Sequence, residues 1–251
     1  MRLRIGKALL AAAAVTAFAM LPSCGLFRAT ADGVLDDGED AIASDRTASD
    51  IDTAEFMYEF GDDGATAQIR FKSPDRVRID VLDGARTVVF CLTKASGWMF
   101  VRGEVINMTA EDIAEMHLAL LQAIPFRVNF QDIFGNTELA EETEFAAGEE
   151  CYVIHGNFRR DPKYPVTLWF GKKSELLRQF EVDRDDGKQT IQYFDYRVFD
   201  DSGVVLPARM FKFSDGGATK VTLNSFEANV DIPDYVFRKP DKLSALEGDK
   251  R

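Results

Sequence analysis

Side chains suited to nucleophilic catalysis or metal binding are scarce in this chain, which has three cysteines and two histidines in 251 residues. Two histidines argue against a multi-histidine metal site. His117 follows Met116 in a helical pattern, and His155 alternates with Cys151 and Val153, which is typical of a strand face. The sequence has no nucleophile elbow, no zinc-protease helix motif and no phosphate-binding loop. It therefore predicts no catalytic residue, no metal and no cofactor, and a binding protein rather than an enzyme.

Three aspartates, Asp183, Asp185 and Asp186, precede Gly187 and superficially resemble the start of a calcium loop. A calcium loop also needs a glycine at its sixth position and a later glutamate ligand, and both are absent here. The segment is therefore predicted to be a solvated hairpin turn.

Cys24 is the cysteine with the most informative surroundings. Three basic residues precede an apolar run over residues 9–21, and the run ends in Leu21-Pro22-Ser23-Cys24. This arrangement is typical of an export signal. A membrane-spanning helix is disfavoured because the apolar run is short and is followed directly by Pro22.

The same four residues resemble a bacterial lipobox, although Pro22 is an unusual residue inside one. The resemblance implies cleavage before Cys24 and attachment of acyl chains such as palmitate to its thiol and amine. Several acyl chains on one residue would hold the protein stably on a membrane. The alternative is an ordinary secretory signal in which the cysteine occurs by chance.

Cys91 and Cys151 remain after Cys24 is assigned to lipid. In an oxidising compartment the two could form a disulfide. Each also fits a position in an apolar core, and the sequence leaves both alternatives open.

The composition is that of an acidic globular protein, with 30 Lys+Arg against 42 Asp+Glu and a net charge of −12. Removing residues 1–23 takes away three positive charges and no acid, so the 228 remaining residues carry −15. This balance argues against nucleic acid as a partner. The 20 phenylalanines are a marked excess beside two tryptophans.

From residue 54 onward the dominant hydrophobic period is two. Phe56, Tyr58 and Phe60 lie at alternate positions, and the pattern recurs in about twelve segments separated by turn-forming residues. The predicted strands are 56–60, 65–72, 76–81, 87–93, 97–101, 104–108, 151–157, 166–170, 177–182, 190–199, 208–213 and 219–226. Short strands at hairpin spacing predict one large antiparallel sheet or barrel.

Residues 109–134 break this rhythm. Thr109 is a candidate N-cap, apolar residues follow at helical spacing, and Pro125 ends the first helix. A second amphipathic helix carries Phe126, Phe130, Ile133 and Phe134 on one face, with Gly135 as its predicted C-cap. We expect the two helices to cover the apolar face of the sheet. The acidic stretch 138–150 is predicted to be a solvated loop.

Four segments together resemble the LolA/LolB-type lipoprotein-binding family. They are FKSPDRV at 71–77, GWMF at 97–100, QYFDYR at 192–197 with Gly203 and Leu206-Pro207, and the segment 229–240. The resemblance implies a mainly β fold with inserted helices. It would be an unclosed antiparallel β half-barrel of about eleven or twelve strands, with an α-helical lid over a hydrophobic cavity.

The chain departs from the family's periplasmic carrier in two ways. The carrier has an arginine directly before the proline of the first segment, and this chain has Ser73 there. The carrier also lacks a lipid anchor. Both points favour a membrane-bound acceptor or another lipid-binding role. An acceptor should have an exposed apolar finger loop, for which 203–207 is the candidate.

The predicted organisation has four parts. These are a lipoprotein signal peptide at 1–23, Cys24 with an acidic tether or short helix at 24–53, a LolA-like half-barrel domain at 54–242 with its lid at 109–134, and a polar tail at 243–251. The eight acidic residues between positions 25 and 53 favour a solvated tether, and a short helix near 34–42 is the alternative.

Aromatic and aliphatic residues on the strands and the lid are the candidate ligand-binding residues, although such residues can equally fill an ordinary core. They are Phe56, Phe60, Ile69, Phe71, Phe90, Phe100, Met116, Leu120 and Phe130.

The resemblance implies a monomeric, lipid-anchored envelope protein that binds acyl chains of lipids or lipoproteins in lipoprotein sorting or outer-membrane lipid transport. Gly25, in place of a retaining aspartate after Cys24, favours the outer membrane facing the periplasm. The alternative is an envelope sensor or protein-binding module that uses the same half-barrel to bind another envelope protein.

Overall fold

The structure is a computed structural model of the chain. It describes residues 29–43, 45–61, 64–93, 96–110, 112–113, 116, 129–159, 161–185, 187–214 and 216–240. The signal peptide, Cys24, most of the predicted lid including His117 and Leu120, and the polar tail lie outside these residues.

Within the described residues, fourteen antiparallel strands form one sheet. They are β1 (Thr53–Phe60), β2 (Ala65–Lys72), β3 (Arg76–Asp83), β4 (Arg86–Leu92), β5 (Gly97–Val101), β6 (Glu104–Asn107), β7 (Phe134–Leu139), β8 (Glu144–Ala146), β9 (Glu149–Phe158), β10 (Pro165–Gly171), β11 (Leu177–Arg184), β12 (Gly187–Val198), β13 (Val205–Ser214) and β14 (Gly217–Ala228). The strand order is β6-β5-β4-β3-β2-β1-β14-β13-β12-β11-β10-β9-β7, and β8 pairs with β9 beside β7. Because β6 and β7 end the order without pairing to each other, the sheet is unclosed.

Side-chain alternation gives the sheet two different faces. On β2, Ile69 and Phe71 are buried in the main hydrophobic core, while Arg70 between them joins Glu55 and Asp80 in an ion-pair network. We call the face that carries Ile69 the inner face and the face that carries Arg70 the outer face. The alternation that the sequence showed in these strands therefore separates the core from a charged surface.

Helix α1 (Ala31–Ile42) packs on the inner face. Thr30 caps it, with Oγ1 accepting from the Gly33 amide at 3.1 Å. Its apolar side is buried, with Leu35 fully inaccessible and Ile42 2% exposed. A short helix α2 (Asp45–Ser49) follows. Among the described residues, no helix has both the length and the apolar composition needed to cross a bilayer.

Helix α3 (Phe130–Ile133) lies beside α1. Asn129 caps it, and two acidic residues of α1 bind its first turn: Glu39 accepts from the Phe130 amide, and Asp36 Oδ1 accepts from Gln131 Nε2 at 2.7 Å. The acidic side of α1 therefore does more than keep the segment soluble, since it also fixes the start of α3.

The last described residues cross the outer face as a C-terminal strap (229–240), which includes a 3₁₀ helix at Asp234–Phe237. Four strands donate side-chain hydrogen bonds to its carbonyl groups: Thr53 to Val230, Lys72 to Ile232, Arg78 to Val236 and Cys91 to Phe237. Lys239 Nζ then donates to Asn107 Oδ1 on β6 at 2.7 Å. The strap therefore spans the outer face from β1 to β6.

The predicted unclosed antiparallel half-barrel is confirmed, with fourteen strands rather than eleven or twelve. The acidic stretch 138–150 is not a solvated loop, because β8 and the ends of β7 and β9 lie within it. The second lid helix ends at Ile133 rather than Gly135, because Phe134 begins β7.

A solvated tether is wrong for residues 31–42, which form α1. The acidic side of this helix faces α3 and solvent, whereas its apolar side belongs to the core. The helix that the sequence allowed near residues 34–42 is present and extends over Ala31–Ile42.

Candidate functional site

Seven apolar residues lie side by side across seven neighbouring strands of the inner face. In strand order from β6 to β14 they are Ile106, Met99, Phe90, Ile79, Ile69, Phe56 and Phe226, each the cross-strand partner of the next. We call this set the apolar row. At about 4.8 Å per strand it is roughly 29 Å long along the sheet.

Exposure increases along the apolar row toward the sheet edge. Phe56 is fully buried and its ring lies 4.9 Å from that of Phe226. Ile79 is 9% exposed, Phe90 and Met99 are partly buried, and Ile106 is 42% exposed. One continuous apolar surface thus runs from the closed core to an open edge.

A further row of inner-face residues flanks the apolar row on each side, and the burial of these two rows shows where the apolar surface is open to solvent. The row through Leu92, Val77 and Phe71 is buried, and Met108 packs beside it next to Gly97. The opposite row, Val101, Val88 and Val81, is only partly buried. The apolar surface therefore opens at the β6 edge and toward the β3–β4 and β5–β6 turns, a region we call the mouth.

The other half of the inner face is filled. Phe130 of α3 packs edge-on against Phe170 of β10 with ring centroids 5.5 Å apart, and Phe134 contacts Phe158 and Phe180. Together with α1, these rings close the inner face over β9 to β11. The exposed end of the apolar row lies in the other half of the face, at β6.

Residues that begin the predicted lid lie against the core. Helical backbone is present at Ala110, Asp112, Ile113 and Met116. Thr109 is the N-cap, as the sequence predicted, because its Oγ1 accepts from the Asp112 amide and its own amide donates to the Asp112 carboxylate. Ile113 and Met116 are partly buried against the main core.

Among the described residues, the row and its two flanking rows contain two ionisable side chains: Tyr58, which pairs with Ala67, and Glu104, which pairs with Val101 and is exposed at the mouth. Burial raises the pKa of the Tyr58 hydroxyl well above its usual range, so this side chain stays neutral. The buried part of this surface is apolar and suited to contact with hydrocarbon. The described residues also contain no group of three or more His, Cys, Asp or Glu side chains suited to a metal ion.

The structure brings some of the predicted site residues together. Phe56, Ile69 and Phe90 belong to the apolar row, and Phe71 lies in the closed flanking row. Phe60 and Met116 are partly buried against the same core.

Two predicted residues lie elsewhere. Phe130 packs in the filled half against Phe170. Phe100 is on the outer face with the Trp98 cluster, because it alternates with Met99 along β5. Met99 and Ile106, which carry the row to the edge, are absent from the predicted set, although the same alternation would have indicated them.

Of the two alternatives that the sequence left open for Cys91 and Cys151, the structure agrees with core positions and not with a disulfide. Cys91 and Cys151 are both free and buried, and eight strands of the sheet separate β4 from β9. Cys91 packs with Trp98 under the strap, whereas Cys151 packs with Trp169. Burial raises the pKa of each thiol to about 11, so both remain protonated at neutral pH.

The candidate finger loop at 203–207 is also wrong as an exposed loop. Val204 and Leu206 are fully inaccessible. Asp200 holds the preceding turn by accepting from the Ser202 and Ala228 amides, at 3.0 and 2.7 Å.

Comparisons with known proteins find a likeness in structure alone. No protein-family model matches the sequence, and no curated protein matches it. A LolA superfamily protein from Nitrosomonas europaea is similar at a TM-score of 0.57 and 17% identity, over 84% of this chain and 99% of that one.

Two further solved structures are similar. A DUF1329 family protein from Desulfovibrio piger has a TM-score of 0.55 at 12% identity, over 80% of this chain and 95% of that one. A putative outer membrane lipoprotein-sorting protein domain from Vibrio parahaemolyticus has a TM-score of 0.51 at 12% identity, over 81% and 97%. The chain therefore has the LolA-type half-barrel fold that its sequence motifs predicted.

Proposed function

We propose that this chain is a lipid-anchored bacterial envelope protein that holds acyl chains of lipids or lipoproteins against the apolar row, in lipoprotein sorting or outer-membrane lipid transport. The supporting observation is the exposure gradient from Phe56, which is fully buried, to Ile106, which is 42% exposed. A core that only stabilised the fold would have no need to continue as exposed apolar surface to the edge of the sheet.

The dimensions and chemistry of the row suit an acyl chain. The part of the row that leads to the sheet edge, from Ile79 to Ile106, crosses three strand spacings, or roughly 14 Å. Each CH₂ group taken out of water contributes about 0.8 kcal/mol, so ten such groups along the row would contribute about 8 kcal/mol before the cost of ordering the chain. None of the seven side chains of the row carries a charge that would have to be desolvated in this process.

The membrane attachment is proposed from Cys24. Thr30, the cap of α1, comes six positions after it, so the acyl chains on Cys24 would begin within about 22 Å of the folded domain. The lipobox-like sequence and Gly25 support the outer membrane facing the periplasm. The LolA-type fold supports a role in lipoprotein sorting, since the similar Vibrio parahaemolyticus domain is named a putative outer membrane lipoprotein-sorting protein domain.

A titration with a fluorescent fatty acid tests the proposal. The protein is purified with the substitution Cys24→Ser, which removes the site of lipidation. We expect saturable binding to one site, and Met99→Asp should weaken it at least tenfold by placing a charge in the row.

Phe211→Asp is the matched control. Phe211 is also a partly buried aromatic residue on a strand, but it lies on the outer face, where its ring is 5.7 Å from that of Phe194. Its replacement should leave the affinity within twofold of the parent protein. Equal losses in both variants, or no saturable binding in the parent, would contradict the proposal and favour the protein-binding alternative.

A further inference from the structure

Strand β6 is one end of the strand order. It pairs with β5 in the register Trp98↔Asn107 to Val101↔Glu104, and no other described strand pairs with it. It also carries Ile106, the exposed end of the apolar row. Among the described strands, the edge of the sheet that has no partner therefore coincides with the mouth of the apolar surface.

The hydrogen-bond alternation shows which backbone groups of β6 face outward. The Met108 amide donates to the Gly97 carbonyl at 2.9 Å, and the Thr93 amide donates to the Ser96 carbonyl at 2.8 Å on the other side of β5. In an antiparallel pair such bonds fall on every second residue. Positions 104, 106 and 108 therefore bond to β5, and the N–H and C=O groups of Val105 and Asn107 point to the free edge.

The β5–β6 turn agrees with this assignment. Arg102 and Gly103 both have positive φ, at 52° and 83°, as in a two-residue hairpin turn of type I′. Such a turn is flanked by a hydrogen-bonded pair, here Val101 and Glu104. The turn therefore also places the N–H and C=O groups of Val105 at the free edge of β6.

The side chains on β6 suit an added strand. Ile106 faces the mouth, and Val105 packs on the outer face against the Trp98 cluster beneath the strap. A residue placed opposite Ile106 would be in a non-hydrogen-bonded pair, in which the side chains lie closest. An apolar residue there would extend the row by one position.

We propose that the β6 edge binds the polypeptide that follows the acylated end of a lipoprotein, as an added antiparallel strand. Its acyl chains lie along the apolar row while its backbone bonds to Val105 and Asn107. Only an extended backbone matches alternating donors and acceptors at this spacing, which is why the partner is a polypeptide and not a second lipid. The inference rests on the proposed function, because it places the acyl chains of the same ligand in the row.

Amide hydrogen exchange on the full chain carrying Cys24→Ser tests the inference directly. The probe is a synthetic lipopeptide with a dipalmitoylated cysteine followed by six residues that alternate valine and serine. At saturation we expect exchange of the Val105 and Asn107 amides to slow at least tenfold. Palmitic acid alone should leave both amides unchanged, because it has no backbone to pair with them.

A substitution that removes one outward donor provides the second measurement. Val105→Pro deletes the N–H that faces the edge and leaves the bonds to β5 in place. It should weaken lipopeptide binding about tenfold and leave palmitic acid affinity within twofold. Val105→Ala, which keeps the N–H, is the matched control and should bind the lipopeptide like the parent.

The outcomes separate this inference from the proposed function. If the lipopeptide binds without slowing exchange at positions 105 and 107, or if palmitic acid binds and the lipopeptide does not, the edge inference is overturned and acyl binding stands. Edge protection by the lipopeptide without binding of palmitic acid would support the edge and contradict the acyl site. Binding of neither probe would overturn both.

Discussion

Gly38 of helix α1 lies directly against the ring of Phe170 on β10. A Cβ atom at position 38 would be 2.4 Å from Cε1 and 2.7 Å from Cδ1 of that ring. The absence of a side chain at this position lets α1 approach the sheet closely enough to fill the β9–β11 half of the inner face. What remains is the apolar surface of the β1–β6 half, where we place the ligand.

Gly38→Ala should destabilise the protein. Replacing a helical glycine with alanine ordinarily stabilises by about 0.5–1 kcal/mol, whereas forcing extra volume into a packed core costs about 1–3 kcal/mol. We expect the second effect to win and the free energy of unfolding, measured with denaturant, to fall. Asp40→Ala, at an exposed position of the same helix, is the control and should stay within about 0.5 kcal/mol of the parent. A more stable Gly38→Ala protein would show that α1 is not packed as described.

Alanine substitutions in the buried part and in the partly buried part of the apolar row should have different effects on the free energy of unfolding and on fatty-acid affinity. Phe56→Ala should cost about 3–5 kcal/mol of unfolding free energy, because Phe56 is fully buried. Met99→Ala should cost less than about 2 kcal/mol, because Met99 is only partly buried, and it should still weaken fatty-acid binding several-fold. Denaturant unfolding and fatty-acid titration of both variants check this. Equal stability costs would mean that Met99 is ordinary core.

Asp234→Asn should loosen the strap. Asp234 accepts from Lys72 at 2.6 Å and from Arg76 at 3.0 Å, and these hydrogen bonds hold the pKa of its carboxyl below the usual range. Cys91 lies beneath the strap and donates to the Phe237 carbonyl. We therefore expect maleimide to label Cys91 several-fold faster in the variant.

Cys151 is the internal control for this experiment. Burial raises its pKa to about 11, as it does for Cys91, so the two thiols have similar intrinsic reactivity. Cys151 packs with Trp169, away from the strap. Mass spectrometry of the labelled peptides should show an unchanged rate at Cys151. Equal acceleration at both cysteines would indicate global unfolding instead.

Glu149 should give the protein a pH-dependent contribution to stability. Burial of its carboxylate alone would raise its pKa, but hydrogen bonds from Ser174, Lys173 and Arg178 outweigh this effect and lower the pKa. A lowered pKa in the folded state means that the contribution is present above the unfolded-state value and is lost as pH falls through the folded-state value.

Glu149→Gln should therefore be about 1–3 kcal/mol less stable than the parent at pH 7, because partly buried donors lose their charged acceptor. The difference should shrink as the pH falls below the ordinary glutamate pKa. Denaturant unfolding at a series of pH values measures it. A difference that stayed constant down to pH 3 would show that the ionised carboxylate is not what stabilises this turn.

Local patterns in the sequence predicted the sheet well, because each strand of a half-barrel has one apolar and one polar face. Phe56 and Ile69 could be assigned to a common face from period two alone. Phe100 could not, because β5 is apolar on both faces and the partner of its outer face is the strap, which lies more than 120 residues later in the chain.

Other features depend on contacts that no local pattern contains. The acidic composition of residues 31–42 suggested a tether. The packed helix was hard to predict because the apolar side of α1 consists of few residues and its neighbour α3 lies about 90 positions away in the sequence. Likewise, pairing of Cys91 with Cys151 depended on the order of the strands, which the spacing in the sequence does not determine.

Photo-crosslinking with a fatty acid shows whether acyl chains lie along the apolar row. A fatty acid with a diazirine at its terminal carbon is bound to the Cys24→Ser protein and irradiated, and mass spectrometry locates the adducts. We predict saturable adducts on residues of the half-buried row, Phe90, Met99 or Ile106, that palmitic acid competes away. Adducts confined to the outer face, for example on Phe211 or Phe213, or labelling that never saturates, would contradict the account.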